Sequence, residues 1–146
     1  MATFLVVLKK RRREQMKILV MSCDKDEDIF EAFYRCMEKN WKGHPEVIYA
    51  TESVENPYYR TIRKNYPLEK WTRRIRETLE EIEEEKVMII NDDCFIREEV
   101  DKEGIERVAK AIEGKVAMVN LEESWDKEDE ETGKEGIKRR RKRKFI

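Results

Sequence analysis

The sequence predicts an α/β fold with a mainly parallel sheet, on three observations. Short apolar runs, "KILVMSC" (17–23), "EVIYAT" (46–51), "KVMIIN" (86–91) and "KVAMVNL" (115–121), recur along the chain. The first is apolar nearly throughout instead of alternating, the mark of a strand covered on both faces, and the others read as further strands. Between them lie segments whose apolar residues fall at helical spacing, and strands alternating with helices of about three turns imply layers built around a parallel sheet. No internal repeat is present.

Taken in order, residues 1–15 carry "FLVVL" and then a basic run, and Met16 opens "MKILVMSCD" as a natural domain start, so 1–15 reads as an upstream extension. The first strand covers 17–23. Ile29, Phe30, Phe33, Tyr34, Met37 and Trp41 then recur at helical spacing behind an acidic first turn, predicting an amphipathic helix over about 25–41. "KGHP" breaks it before the second strand, 46–51. Residues 52–67, with two prolines, three tyrosines and no period, read as a loop or irregular insert. Leu68, Trp71, Ile75, Leu79 and Ile82 form one narrow apolar stripe, which predicts a helix and places Trp71 in the core. Arg73, Arg74 and Arg76 point mostly elsewhere. Arg73 with Glu77 and Arg76 with Glu80 have ion-pair spacing, whereas Arg74 has acidic neighbours on the helix and is equally able to reach a phosphate or carboxylate at the sheet edge. The third strand is 86–91. Ile105, Val108, Ala109 and Ile112 mark a helix ended by Gly114, and 115–121 is the fourth strand. The organisation is therefore a 1–15 extension, a 16–121 α/β domain and a 122–146 charged tail.

A chain of 146 residues suffices for one domain with a real core. Its net charge of -1 conceals strong segregation: "KKRRR" (9–13) and "KRRRKRK" (138–144) are basic, and "EESWDKEDEETGKE" (122–135) is acidic. Such blocks stay solvated, so the tail is expected to be disordered. Three cysteines without CxxC spacing indicate reduced thiols and a cytoplasmic protein. The single histidine, His44, excludes most zinc sites. No apolar run has the length of a membrane span, and "FLVVL" precedes its basic residues, the wrong order for a signal peptide. The basic C-terminus offers an electrostatic foothold on an anionic membrane, hence a peripheral position at the inner membrane surface, or on nucleic acid.

Ligands of parallel α/β sheets bind outside the carboxyl ends of the strands. Here the first strand ends at Cys23-Asp24 and the third at Asn91-Asp92-Asp93. Adjacent carboxylates repel unless water, donors or a cation offset the repulsion. Mg²⁺ or Mn²⁺ held by one or two carboxylates and a substrate phosphate is one explanation of the Asp-Asp pair; turn chemistry is the other.

The order Ser22-Cys23-Asp24-Lys25, Asn40-Trp41, Trp71-Thr72-Arg73-Arg74 and Asp92-Asp93-Cys94-Phe95 resembles the N-terminal half of bacterial and phage glycosyltransferases of the GT-A type. "EEVD" (98–101) and "KVAMVNL" continue the likeness, which covers roughly 17–121. The resemblance implies a Rossmann-like nucleotide-diphospho-sugar transferase sandwich that binds a UDP- or GDP-linked donor with Mg²⁺ or Mn²⁺. It implies Asp93 as metal ligand, Asp92 at the metal and the sugar or ribose, Cys23 and Asp24 beside the base, and Arg74 near the donor. Family members continue into an acceptor-binding half, whereas this chain enters its charged tail at about 122. The expectation is thus a truncated, inactive or partner-completed transferase whose acceptor, a glycan or lipid-linked molecule, is unassigned. No catalytic base is named, and Glu98, Glu99 and Asp101 read as solvated helix-start acids. The alternative is a non-catalytic α/β module tethered to nucleic acid or a protein partner by its basic ends.

Overall fold

The computed structural model describes residues 5–8, 16–84, 86–112, 118–120, 129–131 and 138–140. Its main sheet is built from β1 (Leu5–Leu8), β2 (Met16–Met21), β3 (Val47–Thr51), β4 (Arg60–Arg63), β5 (Lys86–Asn91) and β6 (Met118–Asn120). The spatial order is β4-β3-β2-β5-β1-β6. β2, β3, β4 and β5 are parallel, and β1 lies antiparallel between β5 and β6. Ile18 is level with Met88 on one side and Val47 on the other, a register that brings the carboxyl ends of β2 and β5 together.

Alternation along the strands splits the core into two layers. Ile18, Val20, Tyr49, Met88 and Ile90 pack with Phe30, Phe33 and Met37 of α1 (Phe30–Asn40) and with Trp41. Ile112, which follows α3 (Lys102–Ala111), joins the same layer, with Ile105 and Val108 partly buried against it. On the other face Leu19, Met21, Ile48, Val87 and Ile89 meet Ile82 and the partly buried Ile75 and Leu79 of α2 (Trp71–Glu81). The result is a mixed α/β fold with helices on both faces, as the unbroken apolar runs require. Full burial of each such aliphatic side chain is worth about 1.5–3 kcal/mol.

Local chemistry sets the element ends. A 3-10 helix, Asp24–Ile29, leads into α1, so the predicted helix from 25 begins with a tighter turn. α1 stops at Asn40, and Gly43, at φ +73°, turns the chain toward β3. Asp101 caps α3 by accepting a hydrogen bond of 2.9 Å from the Gly104 amide, a stronger role than that of a merely solvated acid. A Cβ on Gly104 would lie 2.4 Å from Asp101 Oδ2, which makes glycine part of the cap.

Two expectations are corrected. The insert 52–67 contains the strand β4, whose "RTIR" buries only Ile62 and, among the described residues, pairs only with β3, too short and too charged at the sheet edge to stand out. Trp71 is not a core residue: it is 39 % exposed, and the buried face of α2 is carried by Arg74 and Thr78, with Ile82 following. Arg73 with Glu77 (2.7 Å) and Arg76 with Glu80 (3.9 Å) form the expected pairs.

Within the stretch set apart as an extension, Leu5–Leu8 are β1 of the main sheet. Within the charged tail, β7 (Asp129–Glu131) and β8 (Lys138–Arg140) pair antiparallel. The remainder of both stretches, Gly114 as a helix stop, and positions 115–117 and 121 of the expected fourth strand lie outside the described residues. Among the described residues no helix is long and apolar enough to cross a membrane.

Candidate functional site

From β2 the chain steps outward through β3 to β4 and then returns to the opposite side of β2 with β5. Such a reversal leaves a crevice at the carboxyl ends of the two strands that flank it. A cleft of about 810 Å³ opens there. Its floor is Ser22 and Cys23 after β2 and Asn91 to Asp93 at the end of β5; Glu52 comes from the end of β3, and Tyr66, Pro67, Trp71 and Arg74 form the α2 side.

The floor is stitched by backbone and side-chain bonds. The Ser22 amide donates to the Ala50 carbonyl (3.0 Å) and the Asp92 amide to the Met21 carbonyl (3.2 Å), which fixes both strand ends. The Ser22 hydroxyl donates to Asp92 Oδ2 at 2.5 Å across 70 residues of sequence. The Cys94 amide closes a turn on the Asn91 carbonyl (3.1 Å). Turn chemistry accounts for the position of Asp93, and a contact across the sheet for that of Asp92. Asp93 is an exposed turn residue, whereas Asp92 is only 6 % exposed and tied to the opposite strand. Burial raises the pKa of Asp92; the Ser22 bond works against that rise, and the charges of Asp26 and Asp93 reinforce it.

Arg74 crosses the cleft wall. Its guanidinium donates through Nη1 to the Glu52 carboxylate and through Nη2 to the Ser22 carbonyl, bridging the ends of β3 and β2. The residue is 2 % exposed, and its Nε has no hydrogen-bond partner among the described residues. Of the two options left open for this side chain, the carboxylate at the sheet edge is the one it takes.

Asp24 lines the cleft, but its carboxylate turns to the following loop, accepting from the Ser53 hydroxyl and from the Ser53 and Val54 amides. Burial opposes its ionisation, yet these donors outweigh it and hold the pKa down to about 2. Asp24 thus clips the β3–β4 connection, assisted by the Thr51 hydroxyl on the Val54 carbonyl (2.5 Å). The Cys23 thiol donates to Asp26 Oδ2 at 2.6 Å. Burial, that hydrogen bond and the surrounding carboxylates push it up to about 11, so it is a neutral donor at physiological pH.

All four donor-side residues, Cys23, Asp24, Arg74 and Asp92, and the remaining metal candidate Asp93 line one cleft. Five carboxylates, from Asp24, Asp26, Glu52, Asp92 and Asp93, face two cations, Lys25 and Arg74, so the field is negative. Asn40 and Trp41 serve elsewhere: Asn40 Nδ2 donates to the Ile96 carbonyl (2.5 Å), and Trp41 is in the core. Glu98 and Glu99 are exposed.

Sequence reasoning gives no site role to Ser22, although it opens one of the quoted motifs, nor to Glu52, Asp26 and Tyr66. Glu52 was accessible to the same carboxyl-end rule that singled out Asp24 and Asp92, since it directly follows the second strand. The Ser22–Asp92 contact has no local signal, because it depends on the parallel register of β2 and β5. Among the described residues no three His, Cys, Asp or Glu side chains are grouped so as to cage a metal by themselves. Compared with known proteins, the chain matches no family model, no curated protein and no solved structure.

Proposed function

We propose that the cleft is the donor site of a GT-A-type, nucleotide-sugar-binding glycosyltransferase domain. The observation that carries this reading is the convergence of Ser22 and Cys23 with Asp92 and Asp93 at the strand reversal, joined by the Ser22–Asp92 hydrogen bond. An adaptor tethered by its basic ends has no use for a buried aspartate beside an exposed one at the mouth of a crevice.

The donor chemistry fits Mg²⁺ or Mn²⁺. Both are hard ions that take carboxylate oxygens, and Mg²⁺ commonly uses only one or two of them together with substrate phosphates and water. Asp93 offers an exposed carboxylate, and the neighbouring Asp92 carboxylate is oriented by the Ser22 hydroxyl on its Oδ2. In a cleft this negative, a diphosphate needs such a partner. When bound, the ion stabilises charge developing on the nucleoside diphosphate that leaves. The chain's own residues orient and shape: Ser22 fixes the Asp92 carboxylate, Arg74 and Glu52 brace the wall, and Asp24 ties down Ser53 and Val54 beside it. On this reading the domain supplies the donor half, and an acceptor-binding part completes transfer.

Calorimetric titration of UDP and GDP, with and without Mn²⁺, into the wild type and Asp93→Ala tests the proposal. Metal-dependent binding of a nucleotide that is lost in Asp93→Ala is expected. Absence of binding by folded wild-type protein to both nucleotides would reject the donor site in favour of the tethered module.

A further inference from the structure

The helical stripe assigns Trp71 to the core, yet it stands at the first position of α2 with 39 % of its surface exposed, on the wall of the cleft. Trp71 thus presents a polarisable aromatic surface to the cleft, whereas Ile75, Leu79 and Ile82 of the same stripe pack against the core.

The ring is also held. The Arg74 guanidinium carbon lies 4.9 Å from the indole centroid, and Arg74 is itself locked by Glu52 and the Ser22 carbonyl. Next to it Tyr66 is fixed to α2: its hydroxyl donates to Glu77 Oε2 at 2.7 Å, and the Arg73 guanidinium carbon sits 4.9 Å from its ring centroid. This wall is rigid before any ligand arrives, which lowers the ordering cost of binding.

We propose that Trp71 is the stacking platform for the planar base of the nucleotide, an inference that rests on the donor-site reading. Backing by a cation decides between the two rings a nucleotide sugar offers. A guanidinium draws on the negative face of the indole, which weakens the ring toward the C–H groups of a sugar, whereas a heteroaromatic base stacks through dispersion and overlap of area. The acids Asp92 and Asp93 then take the diphosphate end with its cation, and the base lies toward α2.

The test is titration of UDP, GDP, a UDP-linked hexose and inorganic pyrophosphate, each with Mn²⁺, into the wild type, Trp71→Phe and Trp71→Ala. The side chain is exposed, so both variants are expected to keep the wild-type far-UV circular dichroism. Trp71→Ala should weaken the nucleotide that the wild type binds by about tenfold or more, while pyrophosphate affinity stays within about twofold. Trp71→Phe, which keeps an aromatic face, should retain most of the nucleotide affinity. If the wild type binds nucleotide but Trp71→Ala binds it equally well, or loses nucleotide and pyrophosphate together, the stacking role is overturned while the donor site stands. A loss confined to the hexose-linked nucleotide would place the sugar on the ring and also overturn it. A wild type that binds neither nucleotides nor pyrophosphate overturns this inference together with the donor site.

Discussion

Replacing Arg74 with methionine removes the guanidinium that bridges the ends of β2 and β3, and the consequence can be worked from its surroundings. The Arg74 side chain is 3 % exposed and that of its partner Glu52 24 %. Removing one member of a fully buried ion pair costs about 3–5 kcal/mol, because the survivor is left charged in a poor solvent. The exposed part of Glu52 lets water recover some of this, and methionine refills most of the volume. The Ser22 carbonyl loses a donor as well, worth about 1 kcal/mol. The net loss is about 2–4 kcal/mol, and a chain of this length loses about 2–4 °C in Tm per kcal/mol, so melting should fall by about 5–15 °C. Urea unfolding followed by far-UV circular dichroism measures it. Glu52→Gln in the Arg74→Met background should recover part of the loss, since the unpaired carboxylate is then gone, and the double-mutant cycle reads the coupling directly. Arg74→Met melting within about 2 °C of the wild type would refute the buried bridge.

Three other outcomes follow from the cleft's electrostatics. Asp92 has a raised pKa, so folding favours its protonated form: its stabilising influence is full below the ordinary value of 3.8 and is lost as pH rises through the folded pKa. Asp92→Asn should therefore melt higher than the metal-free wild type at pH 7, with the gap closing as pH falls toward 4; a lower Tm at pH 7 contradicts this. Asp24 has the opposite sign, held at about 2 against 3.8, so its contribution is present above pH 4 and fades as pH falls toward 2. Its size, after solvent screening, is about 1–2 kcal/mol, and acid unfolding of Asp24→Asn should be flatter across that window than the wild type's. The Cys23 thiol, pushed up to about 11, should alkylate slowly at pH 8, and Asp26→Asn should speed the reaction by removing its acceptor and a nearby charge. Peptide mass mapping separates Cys23 from Cys36 and Cys94, and an unchanged rate in Asp26→Asn would refute the coupling.

How far the fold was legible depended on whether the signal was local. β5 coincides with the apolar run 86–91, and Phe30, Phe33, Met37 and Trp41 are buried as their spacing requires. α2 was found but turned on its axis. Counting apolar residues put Trp71 inside, whereas the partners of Arg74 lie at the ends of two strands distant in sequence, Glu52 and Ser22, and draw a charged side chain to the buried face. β4 was missed because an edge strand needs only one buried residue, Ile62. The carboxyl-end rule puts Asp24 and Asp92 beyond the strand ends, where both line the cleft, but not where their carboxylates turn. Asp24 is spent on Ser53 and Val54, and Asp92 on Ser22. Those are contacts of register and loop closure, which spacing within one segment does not encode.

The proposed donor site requires that a divalent ion and a nucleotide meet at the ends of β2 and β5. Paramagnetic broadening of the backbone amide spectrum by substoichiometric Mn²⁺, recorded with and without UDP or GDP, tests it most directly. The account predicts that the amides of Ser22, Cys23 and Asn91 to Cys94 broaden first, and more strongly once the nucleotide is present. Sharp signals there, with broadening confined to other acidic segments such as Asp129–Glu131 and indifferent to nucleotide, would contradict it.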